Sequence, residues 1–250
     1  NNLILAVAGN FQTEQLIEKI QTAFAKWRPV EIDFPEILPL APESERVVYY
    51  VAKEIGQSTI VMGHPVLRQK DPQFIPFLLL NRILGGSPAG DDRLFREIRE
   101  KRGLAYAVGS FVSGGQRYRG IFGAYSITRA DATGRVIQLI LSELERIANE
   151  AISQEELTKT QNAISNQFVF QYTSALEVVA RAATLEFYEL PQDYYQDYLR
   201  RVEQMTSQEI LEAAREHLRP EEMKIMVVGA KELFDQDLAT FGPVVSIDMD

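Results

Sequence analysis

The chain has 250 residues, 46% of them apolar, a formal charge of −9, two histidines and no cysteine. That length buries a sizeable core in one or two domains. The acidic balance argues against a general phosphate-backbone binder, and the missing thiols exclude disulfides, thiol catalysis and zinc held by sulfur.

No apolar run approaches the ~20 residues of a membrane span, and "NNLILAVAG" has neither the basic start nor the cleavage pattern of a signal peptide. The chain opens without Met, so it reads as processed or cut from a longer protein. The compartment stays open: bacterial cytoplasm, periplasm or an organelle.

"LILAVAGNF" reads as a buried strand ending at Gly9. "TEQLIEKIQTAFAKW" follows as an amphipathic helix capped by Thr13, with Leu16, Ile17, Ile20, Phe24 and Trp27 as its apolar stripe. Pro29, Pro35, Pro39 and Pro42 then leave no room for helix or central strand, so residues 29–45 read as a linker. "RVVYYVA" and "QSTIVMGHPV" read as strands joined by a turn near Gly56. "DPQFIPFLLLNRILGG" reads as a helix with Asp71 as cap, Pro72 at its first position and Gly85 at its end.

A helix over Arg93–Lys101 runs into a strand, and "SGGQRYRG" turns into a second strand, "IFGAYSIT", which makes a hairpin with a long tip. A helix from about Ala132 to Ala151 carries Val136, Ile140, Leu144 and Ile147 at helical spacing. "SQEE" at Ser153 is a capping box, opening a long helix that extends to Leu190, where Pro191 breaks it. "DYYQDYLRRVEQM" is a further helix, and "TSQE" at Thr206 is a second capping box for one ending near His217. "EEMKIMVVG" is a final strand and "KELFDQDLATFG" a closing helix.

"ILAVAGNFQTEQLIEKI" echoes "KIMVVGAKELFDQDLATF" as strand, Gly, short link and helix. Such a repeat divides the chain into a strand–helix tail of a preceding half (1–28), a linker (29–45) and a complete second half (46–250). Chance similarity of two buried strands is the alternative. Strand pairs followed by a row of helices predict an α+β fold, an antiparallel sheet with helices packed on one face.

Two histidines far apart in sequence do not make a catalytic zinc site, which usually needs three protein ligands. His64 ends a strand before Pro65, and His217 ends a helix, where a cation complements the dipole. Glu155 and Glu156 are adjacent carboxylates, but the capping box accounts for them, which makes an independent acid–base enzyme a weak reading.

The densest chemistry lies in "RLFREIREKRGLAYAVGSF". Arg93, Arg96, Arg99, Lys101 and Arg102 form a basic patch in an acidic protein. Leu94, Phe95 and Ile98 are the apolar positions, Arg99 borders their face, and Gly103 is the left-handed cap. In the strand, alternation puts Leu104, Tyr106, Val108 and Ser110 on one face and Ala105, Ala107, Gly109 and Phe111 on the other. The Arg99 fork and the Tyr106 hydroxyl together suit a peptide carbonyl or a carboxylate. The alternative is a surface Arg–Glu pair beside a core tyrosine.

"ILGGSPAGDDRLFREIREKRGLAYAVGSF" closely resembles the signature of the second half of M16 zinc metallopeptidases, the pitrilysin and mitochondrial-processing-peptidase type. "AVAGNF" and "RVVYYVAKEIGQSTIVMGHPV" extend the resemblance over essentially the whole chain. It implies a LuxS/MPP-like metallohydrolase half and a peptide chamber shared with a zinc-bearing half. The zinc motif of that family, His-x-x-Glu-His, is absent from this sequence. By resemblance, Arg99 and Tyr106 contact substrate and transition state, and Gly85 and Gly86 open a mobile substrate-binding loop near the chamber. The edge strand near Val112 or Gln57 pairs with an extended peptide, and the linker acts as a hinge. Asp91 and Asp92 depart from the small polar residues common in that loop.

The partners so implied are an extended peptide and the zinc-bearing half, carried on the same protein or on a separate subunit of a homo- or heterodimer, with no nucleic acid and no cofactor on this chain. The alternative within the family is an inactive scaffold or assembly subunit.

Overall fold

The computed structural model describes residues 3–36, 45–116, 118–169 and 174–248. Linker positions 37–44 and helix positions 170–173 lie outside them. The chain divides into two compact units, one of Asn1–Leu40 with Ile164–Leu199 and the other of Ala41–Ala163 with Arg200–Asp250.

The larger unit is built on a six-stranded sheet: β1 (Val47–Ala52), β2 (Gln57–Pro65), β3 (Ala105–Ser113), β4 (Ile121–Arg129), β5 (Lys224–Gly229) and β6 (Val244–Ser246). The spatial order is β3-β4-β2-β5-β1-β6. β3–β4, β4–β2 and β2–β5 are antiparallel, while β5–β1 and β1–β6 are parallel. β1 and β2 are consecutive in sequence, yet β5 lies between them. The near-continuous apolar run of "KIMVVG" suits an interior strand with neighbours on both sides.

Helices α2 (Phe74–Leu84), α3 (Thr133–Asn149) and α7 (Ser207–His217) belong to the same unit. The core lies between them and the sheet, around Phe77, Leu80, Leu84, Phe122, Ile140 and Leu144, all fully buried. The stripe Val136, Ile140, Leu144, Ile147 is buried as the spacing predicts. This is the α+β architecture expected, with a mostly antiparallel sheet.

Several boundaries differ from the sequence reading. α2 begins at Phe74 with Gln73 as N-cap, because the Asp71 carboxylate takes the backbone N and guanidinium of Arg68 instead of capping. The closing segment folds as two 3-10 turns, Lys231–Leu233 and Leu238–Phe241, followed by the unforeseen strand β6. Asp235 lies between those turns, where its carboxylate accepts from Gly134 N (2.7 Å) and Arg135 N (3.1 Å). It thereby caps α3, which has no capping side chain of its own.

In the smaller unit α1 spans Thr13–Phe24, with Gln12 at the N-cap and Thr13 already helical. The long helix expected from Ser153 is two helices, α4 (Gln154–Val169), whose residues to Ala163 belong to the larger unit, and α5 (Ala175–Phe187). Ser174 caps α5 with an extended backbone and a capping box to Glu177, a start signal as complete as those at Ser153 and Thr206. α6 covers Tyr194–Gln204. The strand expected at residues 3–9 does not form. A strand needs a ladder partner, none of the strand pairings involves this segment, and Leu3, Ile4, Leu5 and Val7 are exposed.

Candidate functional site

The helix bearing Arg99 is fixed at its start by two buried charges. Asp92 accepts from Phe95 N (2.9 Å) and from Ser87 N (3.3 Å), so one carboxylate caps the helix and ties down the preceding loop. Burial nevertheless raises its pKa. Arg93 is only 4% exposed and forks onto Glu156 with two 2.9 Å hydrogen bonds. Arg93 holds the Glu156 carboxylate at a pKa of about 2. Glu156 also closes the Ser153 capping box of α4, accepting from Ser153 N and Oγ while Ser153 Oγ accepts from Glu156 N.

From Phe95 to Glu100 this helix widens into a π turn, marked by the Lys101 N to Arg96 O bond (2.9 Å). Such turns recur at functional sites. Here the π turn presents Arg99 outward, its Cζ 5.0 Å from the centroid of the Phe95 ring. Gly103 then takes φ +61°, and Leu104 N reaches back to Ile98 O (3.0 Å), which turns the chain into β3. The glycine cap is as read from sequence.

β3 enters the sheet through a bulge. Ala105 pairs with Thr128 and Ala107 with Ile127, so Tyr106 is the extra residue. A bulge re-aims the side chain it carries. Tyr106 therefore leaves the face of the buried Val108 and Ser110, where alternation put it, and is 74% exposed. The Arg99 guanidinium lies 6.0 Å from its ring centroid. Arg99 stands over two rings, Phe95 and Tyr106, and makes no ion pair with a carboxylate among the described residues. The surface Arg–Glu pair beside a core tyrosine is not what forms.

The expected basic patch is dispersed. Arg93 is buried on Glu156, Arg96 reaches the same carboxylate at 3.4 Å, and Lys101 and Arg102 both close on Glu97. Those two cations lower the Glu97 carboxyl to about 2.

Gly85 and Gly86 have a packing role. Gly85 O accepts from Ser110 N at 2.8 Å, and a Cβ on Gly85 would lie 2.6 Å from that nitrogen. A Cβ on Gly86 would lie 2.3 Å from Asn81 Nδ2. Ser110 Oγ donates to Asn81 Oδ1 (2.8 Å), so α2, the loop and β3 are locked together. Beyond them Asp91 takes Lys159 (2.7 Å) and Ser87 Oγ.

A cavity of about 250 Å³ opens between this loop and α4, lined by Arg82, Ser87, Asp91, Glu155 and Lys159 among others. Arg99 and Tyr106 do not line it. Its neighbouring carboxylates do not form an acid–base pair, since Glu156 stays ionised far below neutrality.

The described residues do not fit a zinc ion. Among the described residues no group of three or more His, Cys, Asp or Glu could hold a metal. Both nitrogens of His64 are engaged, Nδ1 with Pro65 O and Nε2 with Arg219 N, and His217 Nε2 meets Gln73 Oε1 at 2.6 Å. Burial lowers both pKa values.

Comparison with known proteins places the chain. The family model described as the peptidase M16 inactive domain matches residues 1–164. The chain belongs to this family. It is 28% identical to an uncharacterized zinc protease of Streptomyces coelicolor over 224 residues, 87% of this chain and 48% of the relative. It is 24% identical to another of Bacillus subtilis over 72% of this chain and 42% of the relative. The chain thus spans half or less of the length of these curated relatives. The crystal structure of a peptidase M16 inactive domain from Pseudomonas fluorescens superposes with a TM-score of 0.77 at 25% identity, over 88% of this chain and 51% of that one. A Helicobacter pylori protease, 17% identical with a TM-score of 0.77 over 88% of this chain and 53% of that one, shares the fold.

Within this M16 inactive domain, sequence reasoning named Arg99 and Tyr106 and missed what positions them. Phe95 entered only as an apolar position, Arg93 as part of a surface patch, and Glu156 as a cap. The spacing of Asp92 to Phe95 N carried a cap signal that went unused. Nothing in the sequence signals the bulge at Tyr106.

Proposed function

We propose that this chain is the non-catalytic, peptide-binding half of an M16-type metalloendopeptidase, completing an active-site chamber whose zinc is carried on another half of the same protein or on a partner subunit. The observation that carries this reading is the Arg99–Tyr106 pair: two exposed side chains, 6.0 Å from guanidinium carbon to ring centroid, presented by a π turn and a β-bulge. Two special backbone features that both turn polar groups outward are hard to account for by stability alone. The Arg99 N–H fork and the Tyr106 hydroxyl would bind a peptide carbonyl and stabilise charge developing on it. β3 is an edge strand, so its far end near Val112 is free to add an extended peptide by main-chain pairing. Gln57 lies on the interior strand β2, opposite Arg129, and drops out of that role. On this reading residues 1–28 close the preceding half, and the proline-rich segment links the halves.

The experiment is complementation. The chain is mixed with a half bearing His-x-x-Glu-His, and cleavage of an internally quenched peptide is followed. Cleavage only in the mixture supports the proposal. Cleavage equally fast without this chain, or a mixture that assembles and binds zinc but never cleaves, contradicts it, and the second result favours the scaffold role.

A further inference from the structure

The sheet of the larger unit is covered on one face by helices. On its other face one register row runs Gly109, Tyr125, Val61, Met226, Tyr49, Val245 across all six strands. Tyr125 is 39% exposed, Val61 42%, Met226 38% and Val245 45%, and Phe111 and Ile121 are exposed on the same side. Isolated exposed apolar residues are ordinary, but a contiguous apolar row across a whole sheet marks a binding surface.

The glycines shape this floor. A Cβ on Gly109 would lie 3.0 Å from the Tyr125 hydroxyl, and one on Gly123 would lie 2.5 Å from the Phe111 ring. Both aromatic rings therefore lie down over the neighbouring strand instead of projecting. The next row pairs Gly123 with Gly63, so β4 and β2 carry no side chains there. The Phe111 ring lies over Gly123, so the shallow trough that remains runs over Gly63, between Val61 and Pro65 on β2.

The charge pattern selects the occupant. The chain has 35 acidic and 26 basic residues, yet none of the six strands contains Asp or Glu. Arg129 and Lys224 are the strand cations, and Arg99 stands beside Tyr106 at the rim.

We propose that this open face selects extended peptide segments with large apolar side chains and without Lys or Arg. The proposal rests on the peptide-binding reading above and deepens it. A leucine or phenylalanine in the trough removes apolar area from water on both sides. A lysine there loses its hydration and finds no strand carboxylate to pair with.

The test uses the 250-residue chain and two fluorescein-labelled ten-residue peptides by fluorescence anisotropy. Both peptides carry Leu and Phe at alternate positions. Serines in one are replaced by lysines in the other. The expected result is a preference for the neutral peptide of roughly 10- to 100-fold. V61E and M226E, which place a carboxylate on the face at exposed positions, narrow that ratio at unchanged circular dichroism. Y106A weakens both peptides by a similar factor.

Equal affinity for the two peptides in wild type, with Y106A still weakening both, overturns the selectivity and leaves the peptide-binding reading standing. Binding that is selective but indifferent to V61E and M226E places the selection elsewhere and also overturns it. Failure of either peptide to bind removes both readings. A wild-type dimer in sedimentation that V61E and M226E dissociate makes a second copy the occupant, and that too overturns the proposal.

Discussion

Arg93 and Arg99 stand on one helix and meet opposite fates. Arg93 points inward, 4% exposed and forked onto Glu156, and ties this helix to the start of α4. Arg99 points outward over the rings of Phe95 and Tyr106, with no carboxylate paired to it among the described residues. The same residue type serves the scaffold in one place and, on the proposed reading, is held ready for a ligand in the other. What separates the two is the π turn that carries Arg99, together with the bulge that brings Tyr106 out to meet it.

The comparison breaks most sharply in activity. In the complemented peptidase Arg99→Ala should lower kcat/KM by roughly 10²–10³, the loss typical of one transition-state donor, at unchanged stability. Tyr106→Phe, which keeps the ring and removes the hydroxyl, should fall in the same direction by less. Arg93→Met should do the reverse at the level of stability. Breaking this pair leaves Glu156 with Arg96 and the Ser153 cap as partners and should cost about 1–3 kcal/mol in a urea titration, with kcat/KM of the folded fraction far less affected.

Gly85→Ala sharpens the structural side. Its Cβ would meet Ser110 N at 2.6 Å, a backbone atom that cannot step aside, and the overpacking should cost about 1–3 kcal/mol by thermal or urea unfolding.

The smallest effect is in pH. The folded pKa of Glu156, about 2, lies below its ordinary 4.5. Its stabilisation is therefore complete above pH 4.5 and is lost as pH falls toward 2. The stability gap between wild type and Arg93→Met should close across that window. His64 and His217 also have lowered values, so their neutral forms favour the fold, and that contribution declines as pH drops below about 6.5.

The sequence carried the parts of this picture that depend on local pattern. The α3 stripe, the capping boxes at Ser153 and Thr206 and the glycine cap at Gly103 are all written in short-range spacing. The family motif singled out Arg99 and Tyr106 as well. What it did not carry depends on contacts far along the chain. Asp235 caps α3 from about 100 residues away. β5 inserts between β1 and β2, and Arg93 is paired with a carboxylate 63 positions on. The bulge at Tyr106 was invisible for another reason: an inserted residue breaks the two-residue period without changing the composition that alternation is read from.

The most direct test sets Arg99→Ala against Arg96→Ala, a neighbouring cation on the same helix, in the complemented peptidase with matched zinc loading. The account predicts a kcat/KM drop of roughly a hundredfold or more for Arg99→Ala and a change of only a few-fold for Arg96→Ala. Equal values for the two variants would contradict it.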